Sequence, residues 1–385
     1  MKDENIVVST EHLPIRTALF IIAILVAIIF FTIGITNMGK KAEGFYTITE
    51  TVDETAPLYG DGIEFHCFFS GKSDDIKEGL RQAEQAYSST LQRAYKLLDP
   101  NTEYNGFPNL ASINHNLNTP VSVNEELFAV LQDAYAKTLE EKGYNIFAGS
   151  LYQYWYSILI LQDAEDFDPL FNADEADRIG RLAEATADIE NFSLTFDESN
   201  RTVTLSVSDK YLKLCEELEV SSDFLDCNLL KDAYMLKIVV PVLEAKDFGR
   251  GYILTNSGLS VSLSGYSSGK YVYYDYIGGQ VRQMSTVDAK AGSVCSTFRI
   301  FAMAKNEAYY HQYEKEGKTY YRNPYVSVSK EGFGNFLRGS FVVGEDDIAD
   351  VVYTNVKLLT ADTEEAVKSV LSDVPYTCEY ALWNR

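Results

Sequence analysis

The spacing of apolar residues changes period several times along the chain, and those changes predict its elements. From Glu345 to Leu359 the residues Ile348, Val351, Val352, Val356 and Leu359 recur at helical spacing, which gives a helix one buried stripe. Glu345, Asp346 and Asp347 crowd the front of that helix, where its dipole favours negative charge. A second stripe, from Ile76 through Leu80, Ala83, Tyr87 and Leu91 to Leu98, predicts a long helix capped by Ser73. Asn124 is placed to cap another helix, which carries Leu127, Val130, Leu131, Ala134 and Leu139. Helical runs follow at Tyr144–Leu161, Asp174–Glu190, Asp209–Leu218 and Asn228–Val240, the last ended or kinked by Pro241, and a short helix starts at Thr363.

Between the helices the period drops to two. Phe45–Val52 and Ile63–Phe69 read as strands, and Phe192–Phe196 with Thr202–Ser208 reads as a hairpin joined by Asp197-Glu198-Ser199-Asn200. Tyr252–Asn256, Leu259–Ser264, Lys270–Ile277, Thr297–Ala304, Lys318–Ser329 and Tyr376–Trp383 add further strands. Helices and strands interleave without a regular βαβ alternation, and no internal repeat is present, so the body is expected to be α+β.

One segment belongs to neither pattern. Thr17 to Thr36 is twenty residues without a charge, long enough to cross a bilayer as a helix. No small-residue cut site follows it, so it is expected to stay as an anchor. The chain then divides into a tail (1–16), a transmembrane anchor (17–36), a linker (37–44) and one large domain (45–385). Lys2 and Arg16 precede the anchor and Lys40 and Lys41 follow it, a balance that leans slightly towards a cytoplasmic body.

The formal net charge of −23 resides in the body and excludes a nucleic-acid partner, because such a surface repels a phosphate backbone. Five widely spaced cysteines, with no CxxC, fit scattered core positions better than a disulfide framework or a zinc site. GxGxxG, GxxxxGK[ST], GxSxG and HExxH are all missing. Of the histidines, His12 precedes the anchor, His66 alternates into an apolar strand as a satisfied core or edge residue, and His115 and His311 have no partner that the sequence assigns.

Asp350 and Thr354, four apart on the predicted helix, present a carboxylate and a hydroxyl from one face. A hard cation such as Mg²⁺ takes oxygen ligands of this kind, whereas the bland alternative is a solvated polar face.

An ordered series of short segments resembles one family. The segments are Leu110-Ala111-Ser112-Ile113-Asn114, Thr119-Pro120-Val121-Ser122-Val123, and Tyr144-Asn145-Ile146-Phe147-Ala148-Gly149-Ser150-Leu151 with Trp155. They continue with Asp226-Cys227-Asn228-Leu229-Leu230-Lys231-Asp232-Ala233-Tyr234, Asn256-Ser257-Gly258, Tyr320-Tyr321-Arg322-Asn323-Pro324 and Ala349-Asp350-Val351-Val352-Tyr353-Thr354. In order and spacing they are similar to the motifs of the ApbE family, the FAD:protein FMN transferases.

The resemblance implies a T-fold-related body that binds FAD in a groove and transfers FMN to a threonine of a flavin-acceptor protein, outside the cytoplasm. It implies Mg²⁺ held by Asp350, Thr354 and the backbone carbonyl of Lys231, with Asn114, Asp232, Asn256 and Gly258 at the flavin nucleotide. Tyr320 stands where the family has a histidine, Asn323 where it has an aspartate, and Asp232-Ala233 where it has Lys-Gly. A phenol, with a reference pKa of about 10, is a weak base at neutral pH. The alternatives to a membrane-anchored transferase are therefore a non-catalytic flavin- or partner-binding scaffold and an adhesion or sensor domain.

Overall fold

The computed structural model of the chain describes residues 40–50, 62–158, 166–266, 268–301, 310–326 and 337–382, with some helical positions between 21 and 30. Among the described residues no helix is long and apolar enough to cross a membrane. Most of the run 17–36 lies outside them.

The chain forms two compact units, Met1–Gly44 with Phe69–Arg81, and Phe45–Phe68 with Gln82–Arg385. In the first, the Lys41 amide donates to the Ser73 hydroxyl at 2.9 Å, and Lys77 and Arg81 pair with Asp74 and Glu78 one turn earlier. The cavity and the networks discussed below lie in the second.

In chain order, β1 (Gly44–Ile48) and β2 (Ile63–Phe69) precede α1 (Ser73–Leu97) and the one-turn α2 (Leu110–Asn114). Then come β3 (Val121–Ser122), α3 (Glu125–Leu139), α4 (Gly149–Tyr156), α5 (Ala173–Ala187), the hairpin β4 (Phe192–Asp197) and β5 (Thr202–Val207), and α6 (Asp209–Leu218). A 3₁₀ turn at Asn228–Leu230 opens α7 (Lys231–Ala245). Strands β6 (Gly251–Thr255), β7 (Leu259–Ser262), β8 (Gly269–Ile277), β9 (Gln280–Ala289), β10 (Val294–Arg299), β11 (His311–Lys315), β12 (Lys318–Arg322) and β13 (Leu337–Gly344) follow. The chain closes with α8 (Ile348–Thr360), α9 (Glu364–Ser372) and β14 (Thr377–Leu382).

The main sheet has seven strands in the order β1-β2-β6-β7-β10-β13-β14. Its centre is sewn by antiparallel registers such as Cys295 with Ser260 on one side and with Val343 on the other. Helix α8 packs on β10 and β13, and α7 packs on α8. The stripe of α8 is buried as its spacing predicts, but the helix is buried nearly all round: Val351, Val356, Leu358 and Leu359 are at most 4 % exposed, and so is Thr354. Each fully buried aliphatic side chain contributes about 1.5–3 kcal/mol of transfer free energy, so α8 is a core element. The solvated-face alternative for Thr354 therefore falls.

Several caps form as the sequence predicts. Asn124 accepts from the Leu127 amide at 2.8 Å, and Asp347 accepts from Ala349 at 2.9 Å to start α8. One helical expectation changes and one narrows. Tyr144–Ala148 is a buried loop, because its polar groups are satisfied outside any helix: the Ile146 amide donates to the Thr138 hydroxyl, and the Asp226 amide donates to the Ile146 carbonyl, both at 2.9 Å. Pro241 does not end α7, which continues to Ala245. Proline lacks an amide hydrogen, and at this exposed position water can serve the carbonyl left without a partner.

Candidate functional site

A cavity of about 700 Å³ opens between the start of α7, the β6–β7 turn, β10, the loop after α1 and the inner face of α8. Tyr95, Tyr152, Tyr156, Phe298, Tyr310 and Tyr325 supply aromatic surface, and Asn101, Asn228 and Asn256 supply amides. Charge comes from Asp99, Asp226, Asp232 and Lys231; among the described lining residues Lys231 is the one cation.

Each wall has a local cause. At the start of α7, Asn228 adopts φ 30°, a left-handed conformation that asparagine tolerates better than most residues. Its amide donates to Asp226 Oδ1 at 2.7 Å. Enclosure pushes the Asp226 carboxyl above its ordinary pKa, against the opposing pull of Lys231 and that amide. Burial and the neighbouring Asp226 likewise push the Tyr152 phenol up. The Lys231 ammonium lies 4.4 Å from the centre of the Tyr95 ring, a cation–π contact that holds its charge at the wall.

The β6–β7 turn needs its glycine. Gly258 has φ 91°, and a Cβ there would sit 2.4 Å from the Thr297 carbonyl oxygen. The Ser257 hydroxyl donates to Asp232, tying this turn to α7.

The expected site residues divide into three groups. Lys231, Asp232 and Asn256 line the cavity, and Gly258 shapes the turn beside them. Asn114 does not line it. Its amide donates to the carbonyls of Pro100 and Leu225 at 3.0 and 3.1 Å and its oxygen accepts from the Leu225 amide at 2.8 Å, so it clamps two loops. Tyr320 also lies outside the lining: its ring stacks on Tyr313 at 5.6 Å and meets Phe171 edge-on at 4.9 Å. Only the last residue of its segment, Pro324, reaches the cavity, with the following Tyr325.

Asp350 and Thr354 form the third group. The cavity takes Val352, Asn355, Val356 and Leu359 from α8, and these two are not part of the lining. Asp350 Oδ1 is 2.7 Å from the Lys137 ammonium, and the Thr354 hydroxyl donates to the Asp350 carbonyl at 3.0 Å. Mg²⁺ requires near-octahedral oxygen ligands that are free to point at it. Here the carboxylate is held by a cation and the hydroxyl is spent inside its own helix, so this donor set does not fit the expected Mg²⁺ site. Among the described residues no cluster of three or more His, Cys, Asp or Glu is placed to hold a metal.

Sequence reasoning missed the ends of two networks. Lys137 follows Asp133 by one helical turn on α3, and that spacing was the available signal. His115 lacked any signal: its ring nitrogens lie 2.8 Å from Glu103 and 3.2 Å from Asp223, which is 108 residues away in the chain. His66 is satisfied as expected, but on β2, between β1 and β6, rather than at an edge: its ring bridges Thr47 and Glu64 and stacks on Tyr252 at 4.7 Å.

No protein-family model matches the chain, and no curated protein matches it in sequence. Solved structures do match in fold. The chain is similar to the ApbE protein of Thermotoga maritima (TM-score 0.60, 15 % identity, covering 88 % of this chain and 94 % of that one). It is also similar to the flavin transferase ApbE of Vibrio cholerae (0.58, 9 %, 88 % and 94 %) and to the flavinyl transferase ApbE of Pseudomonas stutzeri (0.54, 11 %, 90 % and 93 %). By fold, this is a divergent ApbE-like chain.

Proposed function

We propose that the chain takes FAD as its substrate in the cavity and passes FMN to a threonine of a flavin-acceptor protein. One observation carries the reading. Segments far apart in sequence, 226–233, 256–259, 296–298, 324–325 and 352–359, contribute to the walls of a single cavity of a size that suits an aromatic nucleotide. Tyrosine and phenylalanine faces suit a flavin or adenine ring, and Lys231 offers a charge for the pyrophosphate.

In the transfer, the threonine oxygen forms a bond to the FMN-side phosphorus while the pyrophosphate bond breaks, AMP leaves, and the hydroxyl proton passes to base or solvent. Positioning and charge neutralisation contribute most to such a step. The chain's own part is to bind and orient the dinucleotide and to exclude water.

The test incubates the full chain with FAD and a flavin-acceptor protein. Flavin fluorescence on the denatured acceptor band supports transfer. A second reading, a scaffold that binds FAD without transferring it, is favoured by the position of Tyr320 outside the cavity lining. It expects FAD to bind reversibly and to be released on denaturation. Absence of FAD binding under any condition would sink both.

Anchorage belongs to the same proposal. Thr17–Thr36 spans the membrane once, and the body works outside the cytoplasm with an acceptor from a membrane or secreted redox system. A reporter fused after Arg385 that is active only in the cytoplasm would reverse this orientation.

A further inference from the structure

The acidic front of α8 is where the family resemblance places a divalent ion, yet nearly every acid there already has a partner from another element. Lys290 pairs with Glu345, Lys237 with Asp347 at 2.9 Å, and the Tyr376 hydroxyl donates to Asp346 at 3.1 Å. Asp350 is met by Lys137, whose ammonium also lies 2.7 Å from Asp133 Oδ1. The other oxygen of Asp133 accepts from the Tyr234 hydroxyl at 2.9 Å, and the Lys137 charge lies 5.6 Å from the centre of the Tyr353 ring.

We infer that Lys137 is the resident cation of this site, so that the chain binds no divalent ion at Asp350 and takes up its nucleotide without one. Lys137 is 6 % exposed and bridges two carboxylates from different helices. A divalent ion placed at Asp350 would either lie beside a buried ammonium that repels it or have to evict that ammonium. Eviction would drag a buried lysine stem out from between α3 and α8 and leave the Tyr353 ring contact. The ion would regain only one carboxylate that is not already committed to the Tyr234 hydroxyl. Lys137 is a positioning residue here: it holds Asp350, and the charge that meets a pyrophosphate in the cavity comes from Lys231.

The nucleotide half of this inference rests on the proposed function, and the metal half does not. The test therefore begins with the unliganded full chain titrated with Mn²⁺, reading the free ion by electron paramagnetic resonance. The wild type is expected to bind no more Mn²⁺ than Asp350→Asn. Lys137→Ala, which leaves Asp133 and Asp350 facing each other, is expected to gain one site that Lys137→Ala/Asp350→Asn loses. A wild-type site abolished by Asp350→Asn would overturn the inference, and this comparison decides it even if Lys137→Ala does not fold.

The second arm measures FAD binding by fluorescence quenching, in chelator and then in Mg²⁺. Equal affinity supports the inference, and a loss of about tenfold or more in chelator overturns it. If FAD binds in neither, the flavin reading fails, and the Mn²⁺ result still stands alone.

Discussion

Two lysine- or arginine-centred networks lie in the same unit and differ in what surrounds them. Arg322 is sealed: its Nε donates to Asp168 at 3.1 Å and its Nη1 to the Ile158 carbonyl at 3.3 Å, with side chains only 2 % and 5 % exposed. Tyr313 donates to the same Asp168, and the Trp155 ring lies 5.8 Å away. One guanidinium nitrogen, Nη2, is buried without a hydrogen-bond partner. Lys137, by contrast, is buried against carboxylates that are themselves one-third to one-half exposed. The first network locks the β11–β12 hairpin to the loop before α5, and its acid cannot be hydrated. The second joins α3 to α8 while leaving its acids wet on one side. A buried charge pair of the first kind mainly fixes geometry, and one of the second kind can still respond to solute.

The sharpest way to break this contrast is Asp168→Ala. It leaves Arg322 charged and uncompensated, and a loss of roughly 3–5 kcal/mol is expected in denaturant unfolding. A loss under about 1 kcal/mol would put the pair in the class of surface ion pairs. Lys137→Met comes next. Two half-hydrated carboxylates are left near each other, and about 1–2 kcal/mol should be lost, less in high salt because the repulsion is partly screened. Asp350→Asn should cost at most about 1 kcal/mol, since Lys137 keeps Asp133 and the site is partly exposed. If its cost matched that of Asp168→Ala, the two networks would not differ as described.

The smallest effect is the response to pH at His115. Partial burial lowers its pKa, but hydrogen bonds and charge from Glu103 and Asp223 outweigh this and leave it raised above 6.5. A raised folded pKa means the stabilisation is complete below the unfolded value and fades as pH rises from there through the folded value. Melting temperature should therefore drop slightly across that window in the wild type, and the slope should flatten in His115→Gln. An unchanged slope would show that the ring contributes no linked proton.

Local signals carried much of the fold. Asp209–Leu218 reads as a helix, and the structure has α6 over the same residues, started by the Ser208 hydroxyl accepting from the Tyr211 amide at 3.1 Å. Ile63–Phe69 matches β2 at both ends. Strand β13 escaped because Leu337–Gly344 is covered on both faces, so Phe341, Val342 and Val343 run on without alternation. The β8–β9 hairpin was half seen, since β9 is mostly polar and exposed and packs only Val281, Val287 and Ala289 against core residues. Of the residues named by the motif order, Lys231, Asp232 and Asn256 line the cavity and Gly258 shapes the turn beside them. That order was not enough to tell that Asp350 is paired or that Asn114 is a clamp. Those facts depend on side chains brought close by the fold, which no spacing along one helix records.

The sheet order also has a temporal meaning. Strand β2 pairs with β6, joining Ile63 to Thr255, while the innermost helix of the cavity wall ends at Thr360. Ile63 and Leu359 line the same cavity. Contacts that span so much chain are slow to form, because the intervening loop must close before its contacts contribute. A ribosome would have to deliver the chain through α8 before the cavity exists, so nascent chains stalled before α8 should hold secondary structure and no formed cavity.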